Sequence, residues 1–213
     1  MSKLTPVNRY EMRVFIQKEA SRARGRYQIF ENALVGIAAR AAVATPAARK
    51  MAETEISQTL RFFYTEEKDR LESSVENIAS MSPLPLSWDG IELMQEKMMN
   101  LMGQDARRVL WRLKKEGIRN RFKKNTLLQK EDTFYYTDKL GRKISSGPYI
   151  QGETIMFYNE IVNDAIIKEK IEAGEETFSM ERSGSVKKVK RWNVSEYEIM
   201  KPRIIHPNAG FVE

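Results

Sequence analysis

Nine basic side chains and one acidic side chain stand between positions 107 and 124. This segment has a net charge of +8, whereas the whole chain has +7, so the remainder is close to neutral. A local excess of positive charge attracts polyanions, chiefly nucleic acid, or an acidic protein surface. We therefore predict a binding site for one of these partners, formed by Arg107, Arg108, Arg112, Lys114, Lys115, Arg119, Arg121, Lys123 and Lys124.

The basic segment is the second half of a predicted helix. The helix start is marked by Asp89, which suits an N-cap, and by Glu92, which can reach back to it. Apolar residues then recur at helical spacing, at Ile91, Met94, Met98, Leu101, Met102, Val109, Leu110 and Leu113. At 100° per residue, four cations fall within roughly 60° of one another, namely Arg108, Arg112, Lys115 and Arg119. A second row near Trp111 and Phe122 contains Arg107, Lys114 and Arg121.

A run of charges on a helix is commonly a solvated face, and that interpretation stays open. Solvated faces usually alternate their signs and form ion pairs one turn apart. Here Glu116 is the only acidic residue of the segment, and Arg108 precedes Arg112 by one turn. Such like-charged pairs destabilise an isolated helix by about a few tenths of a kcal/mol. The segregation of charge favours an external anionic partner, either DNA or an acidic protein surface.

The sequence contains no recognisable catalytic constellation. It has no cysteine, which excludes disulfides, thiol catalysis and cysteine-ligated zinc. Its one histidine, His206, stands between Ile205 and Pro207, and a lone histidine cannot form a zinc cluster. We expect no enzyme, no metal site and no cofactor, and we interpret His206 as structural. A metal-dependent nuclease stays open because carboxylate pairs such as Glu66-Glu67 could work as acid and base in a pocket.

Helical spacing dominates the chain from residue 6 to residue 124. Thr45-Pro46 has the composition of a helix start, and the segment 82–85, with two prolines, marks an end. Gly25 is a candidate break in the first segment. These signals predict an antiparallel helical hairpin against which the basic helix packs as a third member.

After residue 125 the pattern changes to short aromatic and β-branched runs bounded by glycine. A strand at 134–137 leads into a turn at 138–142, and a second hairpin is predicted within 178–192. One short helix is predicted at 155–173. The expected class is α+β, with a helical bundle at 6–124, a smaller β-containing part at 125–200 and an extended C-terminal arm at 201–213.

The last thirteen residues contain two prolines and no hydrophobic periodicity. Proline removes a backbone donor and disfavours helix, so this segment is predicted to lie extended along a neighbouring molecule. Its apolar anchors for that partner would be Ile204, Ile205 and Phe211.

Composition limits the remaining possibilities. A chain of 213 residues with 41% hydrophobic and 31% charged residues is typical of a folded, soluble protein. The longest apolar-leaning stretch, 33–44, is short and contains Arg40, so we expect no transmembrane helix and no membrane partner.

The helical block from Pro6 to Lys124 and the arm from Lys201 to Glu213 together resemble, in architecture, the structural proteins of the head–tail junction in tailed bacteriophages. These are the neck, connector-adaptor and tail-completion proteins. The resemblance implies a non-enzymatic virion protein, made in the host cytoplasm, that forms a homo-oligomeric ring around the DNA passage. It further implies that terminal arms clasp neighbouring virion proteins and that the basic helix faces DNA or an adjoining acidic ring.

The alternative is a cytoplasmic nucleic-acid-binding protein that uses the basic helix on a duplex without forming a ring. Such a protein has no evident need for the segment from Pro202 to Phe211. Oligomeric state separates the two hypotheses.

Overall fold

A computed structural model describes residues 5–42, 46–82, 86, 90–117, 133–181, 189–207 and 210–213. Within these ranges the fold is α+β, as predicted, with five α-helices, most of them long, and two small sheets. The first three helices, α1 (Pro6–Ala42), α2 (Pro46–Met81) and α3 (Ile91–Gly117), form a bundle. Gly25 does not interrupt α1, because tertiary packing of a long apolar stripe outweighs the modest cost of one helical glycine.

Side-chain pairs show that α1 and α2 run antiparallel. Asn8 near the start of α1 donates a hydrogen bond to the carbonyl of Met81 at the end of α2. Farther along α1, Arg26 forms a two-pronged ion pair with Glu67. Phe30 packs edge-on against Phe63 with ring centroids 5.5 Å apart. The two helices therefore form the predicted antiparallel hairpin.

Two antiparallel hairpins follow the bundle. Strands β1 (Tyr135–Thr137) and β2 (Lys143–Ser145) form the first, at the predicted position. Strands β3 (Thr177–Glu181) and β4 (Val189–Asn193) form the second. A helix lies between the hairpins in sequence, and it is longer than predicted: α4 runs from Ser146 to Glu172. It begins directly after β2, at Ser146.

The expectation of an extended C-terminal arm requires correction. A 3₁₀ turn (Val194–Glu196) leads into α5 (Tyr197–Ile204), which includes the first residues of the supposed arm and tolerates Pro202 near its end. Three predicted anchors are buried within the chain itself, namely Ile204, Ile205 and Phe211. Val212 pairs with Met180 of β3, so the segment adds a short edge to the second sheet. These three apolar side chains therefore pack in the core of this chain, although the segment has no hydrophobic periodicity to indicate it.

The chain forms two compact units that do not follow the linear order of the sequence. Unit 1 comprises Met1–Ser21, Leu71–Met94 and Gln151–Glu213. Unit 2 comprises Arg22–Arg70 and Gln95–Ile150, and it contains the basic part of α3 together with the β1–β2 hairpin.

Candidate nucleic-acid interface

The position of α3 decides which of its cations face solvent. Its buried stripe includes Leu101, Met102, Val109 and Leu113, all at most 5% exposed. At 100° per residue, the opposite side of the helix is centred between Arg107 and Trp111. Of the row that the sequence analysis placed second, Arg107 and Lys114 therefore face outward.

Four residues form the exposed basic face of α3, namely Arg107, Trp111, Lys114 and Lys115. Trp111 is 58% exposed, which is unusual for so large an apolar ring. The Lys115 ammonium lies 4.5 Å from the centroid of this ring, a cation–π contact within one helical turn. Lys114 approaches Glu53 of α2 at 3.5 Å, but both side chains are solvent-exposed, so this pair contributes little and leaves Lys114 accessible to a stronger anion.

Arg108 belongs instead to the internal structure of unit 2, which corrects its assignment to the partner-facing row. Its guanidinium pairs with the buried carboxylate of Asp105 and donates to the backbone carbonyl of Tyr135 over 2.8 Å. It also lies 3.9 Å from the centroid of the Tyr135 ring. Arg108 thus fastens the first hairpin to α3, and its charge is neutralised at that joint.

The remaining predicted cations divide into two groups. Arg112 is half-buried on the same flank as Arg108 and takes part in an interaction there. The other four lie outside the described residues, so their prediction stands untested; they are Arg119, Arg121, Lys123 and Lys124.

Asp105 is the centre of a buried polar cluster that the sequence analysis missed. Its Oδ2 accepts hydrogen bonds from Tyr27 Oη at 2.8 Å and from Ser146 Oγ at 2.7 Å. Burial raises the pKa of Asp105 to about 6, although the hydrogen bonds from Ser146 and Tyr27 and the charge of Arg108 oppose the rise. Burial beside this carboxylate also raises the pKa of Tyr27. A carboxylate at a position on the apolar face of α3 was the one signal in the sequence.

The cluster is suited to holding structure rather than to catalysis. Each member contacts another member, and Asp105 has no exposure through which a substrate could reach it. A cavity of about 200 Å³ opens nearby in unit 2, lined in part by Arg24, Glu31 and Ser145. Arg24 and Glu31 already take part in other interactions.

A second polar cluster joins α4 to α5 in unit 1. Lys201 donates to Asp164 over 2.7 Å and lies 2.9 Å from Glu160, while Tyr197 Oη donates to Asp164 over 2.9 Å. Burial raises the pKa of Asp164 in spite of the hydrogen bond from Lys201. Burial would lower the pKa of Lys201, but hydrogen bonds to Asp164 and Glu160 raise it overall. The ammonium is therefore firmly charged and pins a short helix that would be unstable by itself.

Comparison with known proteins yields no match among family models, curated proteins or solved structures. In the described ranges, no group of three acidic or histidine side chains is arranged to hold a metal ion. Across the same residues, each helix is either too short or too polar to cross a membrane.

Proposed function

We propose that this chain is a non-enzymatic structural protein of a tailed-phage particle. It acts at the head–tail junction, where the exposed basic face of α3 meets DNA or an adjoining acidic ring. The observation that carries the proposal is the grouping of Arg107, Lys114 and Lys115 around an exposed Trp111 on a rigid helix. In this proposal the protein resides in the virion and is assembled in the host cytoplasm.

Three cations on one helical face are suited to phosphates rather than to a small ligand. Each phosphate contact releases a counterion, so affinity for duplex DNA is sequence-independent and falls steeply with salt. Arg108 is half-buried at the hairpin joint, where it helps hold this surface in shape, and the other three cations remain exposed. Trp111 adds an aromatic face that can pack on sugar or base.

Exposed apolar side chains support assembly with neighbouring copies or other virion proteins. Large examples project from several helices, namely Tyr10, Met51, Phe62, Leu93, Ile171 and Ile199. Singly scattered apolar residues are ordinary on monomers. Their number on the helices is nevertheless suited to the lateral contacts of a ring, which repeat around its axis.

The proposal is tested by DNA affinity and oligomeric state in the purified chain. Fluorescence anisotropy with a labelled duplex of about 20 base pairs, from about 50 to 200 mM salt, gives the salt slope. The triple variant Arg107→Gln/Lys114→Gln/Lys115→Gln should lower that slope by about three units. The control Lys18→Gln/Lys68→Gln/Arg203→Gln removes the same charge from exposed positions on α1, α2 and α5 and should leave the slope unchanged.

Light scattering of the same samples tests the ring. A closed oligomer whose DNA affinity depends on the α3 face supports the proposal. A chain that stays monomeric at high concentration, with equal DNA affinity in both triple variants, would overturn it.

The second candidate function is nucleic-acid binding outside a particle, and Trp111 is the observation that favours it. An exposed aromatic ring among cations is typical of surfaces that stack unpaired bases. If this candidate is correct, a single-stranded oligonucleotide binds more tightly than the duplex, Trp111→Ala removes the preference, and the chain is monomeric.

A further inference from the structure

The tip of the β1–β2 hairpin exposes an apolar residue between cations. Leu140 is 78% exposed, the highest value among the large apolar residues described in this chain. Lys139 precedes it, and Arg142 and Lys143 follow across Gly141; all three cations are exposed. An exposed apolar side chain at a turn lowers solubility and adds nothing to the core. The position of Leu140 is therefore explained better by contact with a partner than by folding.

The tip is held in one conformation by Asp138. One carboxylate oxygen accepts from the backbone N–H groups of Leu140 at 2.9 Å and Arg142 at 2.8 Å. The other accepts from Arg142 Nε at 2.6 Å. Gly141 completes the turn at φ +76°, a conformation that side chains other than glycine's rarely adopt. Asp138 and Arg142 largely offset each other's charge in this ion pair, so the net positive charge of the tip comes from Lys139 and Lys143.

The base of the hairpin is fixed to the basic helix. Arg108 bonds to the Tyr135 carbonyl and stacks on its ring, and the Lys143 ammonium lies 4.4 Å from the centroid of that ring. On α3, Lys115 points roughly 20° away from Arg108 around the helix axis. The hairpin therefore projects from the flank of α3 that borders the exposed basic face.

We propose that the β1–β2 tip is a second contact element of the same nucleic-acid interface. Lys139 and Lys143 meet backbone phosphates, and Leu140 packs into the groove of the duplex between them. This inference rests on the proposed function and adds a partner-contacting element that charge density along the sequence did not indicate. Duplex DNA is favoured over a protein partner because cations flank the apolar residue on both sides.

The arrangement has a physical advantage for a sequence-independent contact. A preorganised turn loses little conformational entropy on binding, so a few contacts suffice. Two elements separated along one surface also fix the direction of a duplex, which a single helix face leaves free to rotate.

The test uses Lys139→Gln/Leu140→Ser, which keeps Asp138, Gly141 and Arg142 and so preserves the turn. Affinity for the duplex of about 20 base pairs should fall three- to tenfold at about 100 mM salt, and the salt slope should fall by about one unit. The control Lys68→Gln/Ile29→Ser makes a comparable chemical change at exposed positions of α2 and α1 and should bind like wild type. Unchanged circular dichroism in both variants verifies the fold.

The outcomes separate this inference from the proposed function. If the α3 triple variant loses DNA affinity while the tip variant binds like wild type, the tip inference is overturned and the proposed function stands. If the tip variant retains DNA affinity but loses self-association, the tip is a protein contact and the inference is again overturned. If neither variant changes DNA affinity, both proposals fail.

Discussion

Tyr27 Oη donates a hydrogen bond to Asp105 Oδ2 over 2.8 Å, joining α1 to α3 across 78 residues of sequence. Both side chains are buried, and Ser146 at the start of α4 donates to the same oxygen. Three helices of unit 2 therefore converge on one carboxylate. This cluster lies on the buried side of α3, opposite its exposed basic face. Substituting Asp105 therefore tests the stability of the fold rather than binding at that face.

The first prediction concerns pH. The folded pKa of Asp105, about 6, lies above the ordinary value of 3.8. Between these two values the folded state binds more protons than the unfolded state, so this carboxyl's contribution to the free energy of unfolding falls as pH rises. We expect wild type to lose about 2–3 kcal/mol relative to Asp105→Asn between about pH 4 and pH 7.

Urea denaturation of both proteins across that range measures the difference, in which the other carboxylates cancel. A difference that is independent of pH would show that Asp105 titrates normally.

The second prediction distinguishes two adjacent arginines. Arg108→Ala leaves the fully buried Asp105 charge without its cation and frees the Tyr135 carbonyl, so it should cost about 3 kcal/mol. Arg107→Ala removes an exposed side chain and should change stability by less than about 0.5 kcal/mol. The midpoints of urea denaturation measure the loss of stability in each variant. Equal losses in the two variants would contradict the assignment of Arg108 to the hairpin joint.

Most of the helices and both hairpins were predictable because their signals are local, whereas α5 was not predicted. Apolar spacing and helix-start signals located the bundle, and Asp138 with Gly141 located the first turn. The outward side of α3 could be predicted, because it lies opposite an apolar stripe whose spacing is visible in the sequence. The role of Arg108 could not, because its partners, Asp105 and Tyr135, are set by tertiary packing.

The third prediction concerns the C-terminal segment. Phe211 is 1% exposed, and the Arg13 guanidinium lies 5.5 Å from its ring centroid. Phe211→Ala should therefore lower the free energy of unfolding by about 3–5 kcal/mol. The exposed Ile199→Ala should have little effect.

Hydrogen exchange on the isolated chain provides an independent check. The Val212 amide donates to Asn163 Oδ1 over 2.9 Å and the Glu213 amide to the Ser179 carbonyl over 2.7 Å, so both amides should be protected. Rapid exchange at both amides would instead support the extended arm predicted from the sequence.

The fourth prediction compares two glycines. Gly141→Ala forces a side chain into a turn at φ +76° and should cost about 1 kcal/mol or more. Gly25→Ala places its methyl group in open space in a continuous helix and should add about 0.5–1 kcal/mol. The midpoint temperature of thermal unfolding should fall in Gly141→Ala and rise in Gly25→Ala. A loss at both positions would contradict the unbroken course of α1.

The return of the last residues onto the first sets an order of events during synthesis. Arg9 donates to the Val212 carbonyl over 3.0 Å, a bond between positions 203 residues apart. Every segment of unit 2 leaves the ribosome before Gln151, whereas unit 1 needs the segment from Gln151 to Glu213 to complete its core. Unit 2 can thus become compact while translation continues. The N-terminal part of α1, which belongs to unit 1, keeps some of its apolar side chains exposed until the last segment is made. We expect chaperones to bind the nascent chain mainly while residues 151–213 are being synthesised.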